Sequence, residues 1–504
     1  MRTVRSFKIG AVLAAVAALV ATGLAVADAE PSGSLGWKPC ADGKPTQCSK
    51  LRVPIDWSRP SGKSIDVAVA RRPAADPAHR LGTLIYLPAG PGSSGVDAVT
   101  RDDYFDMLFT APVAKRFDIV SFDPRGIHRS HPVTCRTDLM DGPRALTPGD
   151  AKDYSARLRA NTAMYDDCAR RSGPLFDHLD SVAVARDVDS LRAALGADTI
   201  NLYGLSYGTL AGQMYAERYP RRIRTAVLDS NMDHSLDAAD STRTGAAAVQ
   251  GAFEQFVDWC RGHRECALHG RDVKALLAKL YARAADGTLA EPGDASRKVD
   301  PSTLIGDVIQ PLSIPDWNAP AKRLKALDTG KGEPPETPAT DKTTPWPSAM
   351  TCADSPRGFA SYRQLRAAWD ASNAAAPDVK FAPLDWGQPQ LCLNWNAGAH
   401  NPRHRLDVNG ASPILVLGSR YDTQTPYQWS VDVAEQIDGA RLLTYDGAGH
   451  GVYPRDTCTK TAVEKYLIDR RLPAAGTVCG LPARGPSDGL VDRGEVGVGV
   501  DELG

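Results

Sequence analysis

The pentapeptide Gly204-Leu205-Ser206-Tyr207-Gly208 sets a serine hydroxyl between small residues, directly after the apolar run Ile200-Asn201-Leu202-Tyr203 and ahead of a helix-like stretch. A serine hydroxyl is a weak nucleophile. It becomes useful on a sharp strand-to-helix turn, which glycines two positions to either side allow to close without a clash. Such a serine needs a base for its proton and an acid to orient that base. Of the ten histidines, His450 alone follows a late strand-like run, Arg441 to Tyr445, inside the glycine-flanked loop Gly447-Ala448-Gly449-His450-Gly451. Two acids compete for the third place. Asp422 lies just beyond the apolar run Pro413 to Leu417, and Asp229 ends the run Thr225 to Leu228. The chain order Ser206, Asp422, His450 favours Asp422, with a turn or helix-capping role as the other reading of Asp229. Together these groups would perform acyl transfer to water, with the imidazole taking and returning the proton. Two N–H donors are then needed for the oxyanion. Tyr207 follows the nucleophile, and Gly90 lies in the turn Pro88-Ala89-Gly90-Pro91-Gly92-Ser93-Ser94-Gly95, where glycines permit close approach to a ligand.

The elements that must hold these residues are visible as a rhythm. Thr83–Leu87, Asp118–Phe122, Ile200–Tyr203, Thr225–Leu228 and Pro413–Leu417 are short apolar runs of the kind buried on both faces of a sheet, and helical stretches such as 182–195 and 210–219 separate them. Alternation in Leu51–Ile55 and Ser64–Ala70 adds a pair of antiparallel edge strands. The pattern predicts an α/β class chain with a mostly parallel, doubly wound sheet and functional loops at the strands' carboxyl ends, and the elbow with the order Ser206, Asp422, His450 resembles the α/β-hydrolase fold. Residues 36–232 form the first part of the core and 411–482 its C-terminal part. Residues 233–410 break the rhythm with helix-like pieces at 251–260 and 273–285 and a Pro/Thr-rich stretch, and are expected to be an inserted, largely helical cap or lid. Residues 485–504, Gly-rich and acidic, are expected to be a disordered tail.

Composition narrows the partners. In 504 residues, 59 Lys+Arg against 60 Asp+Glu leave a formal charge of −1, which favours neither nucleic acid nor an anionic membrane. A basic start at Arg2, Arg5 and Lys8, an apolar run from Ile9 and small residues near Ala27 and Ala29 read as a signal peptide over residues 1–29. The mature chain is then expected to be secreted, without stable membrane insertion. The ten cysteines show no C-x-x-C spacing and are expected to form five disulfides, with Cys40–Cys48, Cys260–Cys266 and Cys458–Cys479 as local bridges. No metal-ligand spacing or phosphate loop competes, so neither metal nor cofactor is called for.

Taken in order, Gly90-Pro91-Gly92, then Phe122-Asp123-Pro124-Arg125-Gly126 with Ser130, then Gly204 to Gly208, Asp422-Thr423-Gln424-Thr425-Pro426 and Gly449-His450-Gly451 resemble the secreted tripeptidyl aminopeptidases of the prolyl-aminopeptidase group. The ending, Tyr466-Leu467 through Leu472-Pro473 to Gly476-Thr477-Val478-Cys479, is similar to that family as well, so the resemblance runs from about Trp37 to Cys479. It implies a cofactor-free exopeptidase that removes short peptides or single residues from a free amino terminus, with Ser206, Asp422 and His450 as triad. Pro88-Ala89-Gly90 and Gly126-Ile127-His128 each lack a glycine that the family usually carries, which leaves the preferred acyl group open. An aminopeptidase must pair its substrate's ammonium with a carboxylate; Asp354, beside Cys352, is the candidate. Trp317, Trp346, Trp386 and Trp395 could line an apolar subsite, although packing is the commoner use of such residues. The competing activity is that of a secreted carboxylesterase or lipase, because one triad serves esters and amides alike. The mature enzyme's expected place is outside the cell, free or held at the cell wall.

Overall fold

The computed structural model describes residues 35–140, 148–314, 316–332, 343–355, 358–398 and 400–480. The expected signal peptide, the expected tail and most of the Pro/Thr-rich stretch lie outside them. In chain order the strands are β1 (Lys38–Pro39), β2 (Gln47–Pro54), β3 (Ser64–Arg72), β4 (Gly82–Leu87) and β5 (Phe117–Phe122). There follow β6 (Thr134–Arg136), β7 (Ile200–Leu205), β8 (Ile223–Asp229), β9 (Ala290–Glu291) and β10 (Asp294–Lys298). The last are β11 (Thr343–Pro345), β12 (Leu415–Tyr421), β13 (Arg441–Ala448) and β14 (Val478–Cys479).

Ten of them form one sheet in the order β1-β2-β3-β5-β4-β7-β8-β12-β13-β14. Pairing is antiparallel from β1 through β3 to β5 and parallel from β5 to β14. Burial follows this division. Every residue of β5 is buried, as are all but one each of β4 and β7, because helices cover both faces of a parallel sheet. In β3, by contrast, buried and half-buried residues alternate. The winding reverses between β4 and β7, where the crevice of an open α/β sheet gathers ligands. Register brings the strand ends level there: Leu87 pairs with Gly204, and Asp229 pairs with both Leu205 and Leu417. The turns bearing Gly90, Ser206 and Ser230 therefore start side by side.

One anchor of this frame is Arg125, in the segment after β5. Its fully buried guanidinium donates to Asp187 Oδ2 and Oδ1 at 2.7 and 2.6 Å and to the carbonyls of Pro54, Ile55 and His178 at 3.1, 2.8 and 3.1 Å. Trp57 Nε1 adds a bond to Asp187 at 3.0 Å.

Between β8 and β12 the chain builds helices with an apolar cluster of their own, centred on Phe253, Phe256, Leu277, Leu304, Trp317 and Trp386. Its longest helix, Ala238–Gly262, starts where Asp237 accepts from the amides of Ala239 and Asp240 and buries residues at three- and four-residue spacing from Thr242 to Cys260. This is thirteen residues earlier than the apolar pattern from Gly251 suggests. The early half is poor in large apolar groups because it packs closely; a Cβ at Gly245 would fall 2.0 Å from Asp385 Oδ2. Trp346 and Trp395 pack elsewhere, against Tyr165, with ring centroids 5.8 and 5.0 Å away.

All five disulfides form between consecutive cysteines: Cys40–Cys48, Cys135–Cys168, Cys260–Cys266, Cys352–Cys392 and Cys458–Cys479. Among the described residues no helix is long and apolar enough to cross a membrane.

Candidate active site

Ser206 stands at the turn between β7 and the helix Gly208–Arg218 with φ of 56°, a left-handed conformation that side chains other than glycine seldom adopt. The turn survives because its neighbours are small. A Cβ at Gly208 would lie 2.2 Å from the Leu87 carbonyl oxygen, and one at Gly204 would lie 3.0 Å from the carbonyl oxygen of Gly208. The elbow is thus pressed onto the end of β4, the strand from which the Gly90 turn departs. The Ser206 amide donates to the Asp229 carbonyl at 2.9 Å, and its carbonyl accepts from Thr209 Oγ1 at 2.6 Å.

Asp422 follows β12 immediately and is fully buried. Its oxygens lie 3.0 and 2.9 Å from His450 Nδ1, and it accepts from the amides of Gln424 and Thr425 at 2.9 and 3.0 Å and from Thr425 Oγ1 at 3.1 Å. Burial alone would raise this carboxyl; the facing imidazole and the donated hydrogen bonds hold it below the usual carboxylate range. With Nδ1 turned to the carboxylate, Nε2 is the nitrogen left to accept a serine proton.

Asp229, the other candidate acid, turns its carboxylate to the backbone of the histidine loop. It accepts from the amides of Val452 and Tyr453 at 2.8 and 2.9 Å. Gly90, with φ of 122°, lies in a turn so tight that a Cβ would come within 2.5 Å of the Gly92 nitrogen. Tyr207 opens the helix after the nucleophile. Its hydroxyl points away into a buried network and donates to Asp354, which also accepts from the Ser181 amide at 2.8 Å, Ser181 Oγ at 2.7 Å and Asn401 Nδ2 at 2.7 Å. Burial raises the Asp354 carboxyl above its ordinary range, with His234 pulling the other way.

A family model described as TAP-like protein matches residues 381–479. Serine protease Hip1 of Mycobacterium tuberculosis (strain ATCC 25618 / H37Rv) is 30% identical over 487 residues, covering 88% of this chain and 90% of its own length. The chain belongs to the TAP-like family of α/β-hydrolases. Two further relatives of this TAP-like hydrolase differ in the activity they are named for. The tripeptidyl aminopeptidase of Streptomyces lividans is 29% identical over 489 residues, covering 91% of this chain and 89% of its own. Carboxylesterase B of Mycobacterium tuberculosis (strain ATCC 25618 / H37Rv) is 30% identical over 462 residues, covering 86% of each.

Two parts of the TAP-like site carry no sequence motif. The Gln310–Ser313 turn, in the segment between β8 and β12, touches the loops of both His450 and Asp422: the Ser313 carbonyl accepts from the His450 amide at 3.0 Å, and Ser313 Oγ accepts from Gln424 Nε2 at 3.1 Å. Arg455, whose guanidinium burial shifts down, donates to the carbonyls of His450, at 2.6 Å, and Gly451. Neither position stands out by composition or spacing.

Proposed function

We propose that this serine hydrolase is a secreted exopeptidase that cleaves peptides from a free amino terminus through Ser206, His450 and Asp422. The observation that carries the triad is the double approach of Asp422 to His450 Nδ1, with Ser206 on a strained elbow that Asp229 ties to the histidine loop. In the reaction, Ser206 Oγ attacks the scissile carbonyl carbon while its proton passes to His450 Nε2. The amides of Tyr207 and Gly90 receive the oxyanion. The imidazolium then protonates the leaving amine, and water attacks the acyl-enzyme by the same route in reverse. Asp422, already ionised and desolvated, steadies the transient imidazolium. Peptides as substrates are supported by the relatives named serine protease and tripeptidyl aminopeptidase. Export is supported by the apolar amino-terminal run and by ten cysteines all paired. Ester hydrolysis is the second reading, favoured by the relative named carboxylesterase B.

The deciding experiment compares tripeptide, dipeptide and single-residue anilides, with free and blocked amino termini, against short- and long-chain nitrophenyl esters, with Ser206→Ala as control. The proposal expects turnover of free-amine peptides, loss on blocking, and silence in the alanine variant. Turnover of esters alone would replace it with the esterase reading, and an active alanine variant would remove Ser206 as nucleophile.

A further inference from the structure

Five consecutive amides carry the histidine loop, and each donates to a group outside it. Gly449 donates to the Tyr421 carbonyl at 3.4 Å, His450 to the Ser313 carbonyl at 3.0 Å and Gly451 to Ser230 Oγ at 2.9 Å. Val452 and Tyr453 donate to the two oxygens of Asp229 at 2.8 and 2.9 Å. Three of the five acceptors thus come from two adjacent residues at the end of β8. Asp229 has a second attachment, because its main-chain carbonyl accepts the Ser206 amide at 2.9 Å. One residue therefore grips the nucleophile's turn with its backbone and the base's loop with its side chain.

We infer that Asp229 and Ser230 are positioning residues, a clamp that sets the imidazole of His450 at a fixed offset from the Ser206 hydroxyl. The inference rests on the proposed reading of those two residues as base and nucleophile. Geometry explains the residue types. Two neighbouring amides both point donors inward, so both carboxylate oxygens are used; an asparagine would turn an NH2 against one of them. Ser230 has φ of 56°, and this turn is what aims its hydroxyl at the Gly451 amide. The carboxylate is fully buried, and the groups facing it are the hydroxyl of Tyr203 at 3.4 Å, Tyr86, His450 and Arg455. Burial pushes its carboxyl up to about 6, against the lowering effect of the two amides. At neutral pH it is ionised and holds both. A proton gained below that value removes one acceptor and releases part of the clamp.

Asp229→Asn and Ser230→Gly are compared with the unaltered enzyme in labelling by a fluorophosphonate. This probe requires only that Ser206 Oγ bond to phosphorus, its proton pass to His450 and fluoride depart, so it reads the pair independently of substrate class. Loss of the clamp in Asp229→Asn is expected to slow labelling by on the order of 100-fold, the effect of roughly 1 Å of misplacement, with KM for any turned-over substrate unchanged. Ser230→Gly adopts the same backbone without strain and is expected to slow labelling several-fold at an unchanged melting temperature. The pH profile separates positioning from mere support. On the acid side the unaltered enzyme should lose its labelling rate with one more proton than Asp229→Asn does, the proton taken up by Asp229. A folded Asp229→Asn that labels at the original rate with an unchanged acid limb overturns the clamp. If that variant does not fold, an unchanged rate in Ser230→Gly overturns it. Labelling that persists in Ser206→Ala would instead overturn the triad reading on which the clamp rests.

Discussion

Removing the cation from the buried Arg125–Asp187 pair makes a prediction whose size follows from its surroundings. Arg125→Met leaves buried Asp187 with Trp57 Nε1 as its one remaining hydrogen-bond donor among the described residues, and leaves the carbonyls of Pro54, Ile55 and His178 without the guanidinium. Breaking one side of a buried pair costs about 3–5 kcal/mol. A chain this long has an unfolding entropy of about 1 kcal/mol per kelvin, so the melting temperature should fall by about 3–5 °C. The double variant Arg125→Met/Asp187→Leu removes more atoms' worth of hydrogen bonding yet leaves no uncompensated charge. It should therefore melt above Arg125→Met. Acid should narrow the gap between Arg125→Met and the unaltered protein. Burial already raises the Asp187 carboxyl, and without its cation the folded state binds the proton more tightly still, which stabilises that state as pH falls. Circular-dichroism melts of the oxidised protein at one scan rate, at pH 7 and pH 5, test all three statements. A double variant that melts lower than Arg125→Met, by the sum of the single effects, would show that the charges are not energetically paired and refute the reasoning.

Asp422→Asn should keep the fold and KM while lowering kcat by on the order of 10,000-fold, since the amide presents a donor to Nδ1 and selects the wrong tautomer; steady-state kinetics on whichever substrate turns over reads this directly. Asp354→Asn separates two roles for that carboxylate. As partner of the substrate ammonium, its loss would abolish the preference for free over blocked amino termini; as support beneath Tyr207, which its four hydrogen bonds from Ser181, Tyr207 and Asn401 favour, its loss would lower kcat on both equally. Gly208→Ala places a Cβ 2.2 Å from the Leu87 oxygen, so the elbow must shift off β4 and fluorophosphonate labelling should be largely lost even where secondary structure is retained.

The sequence showed most of what local pattern can encode. Strands buried on both faces read as apolar runs, and the five expected between residues 83 and 417 are found as β4, β5, β7, β8 and β12. The expected elbow serine sits at positive φ because Gly204 and Gly208 spare the space, a constraint written within five residues. What sequence could not show depends on register and long-range closure. Asp229 looked like a rival acid because position alone does not distinguish a carboxylate facing an imidazole from one facing the amides two and three residues later. The place of Asp354 depended on a partner, Tyr207, 147 positions away in the chain. Ser313 joins the site through its main-chain carbonyl, which any residue type could supply. Helix Ala238–Gly262 was read short because close packing at Gly245 requires the small residues that weaken a helical pattern.

The pattern of disulfides bears on how the molecule is made and remodelled. No bridge spans another, and none joins the segment between β8 and β12 to the sheet on either side of it. A chain oxidised from its amino terminus onward would find each correct partner in the most recent unpaired thiol, so native pairing needs no shuffling step. The same locality leaves the helical segment fastened to the rest of the molecule by non-covalent contacts and its two chain crossings, with no disulfide between them. It could be exchanged for that of a relative without rewiring a single covalent cross-link, with the Ser313 turn, the Asp354 network with Tyr207 and Ser181, and the pairing of β11 with β6 among the contacts such a graft would have to reproduce.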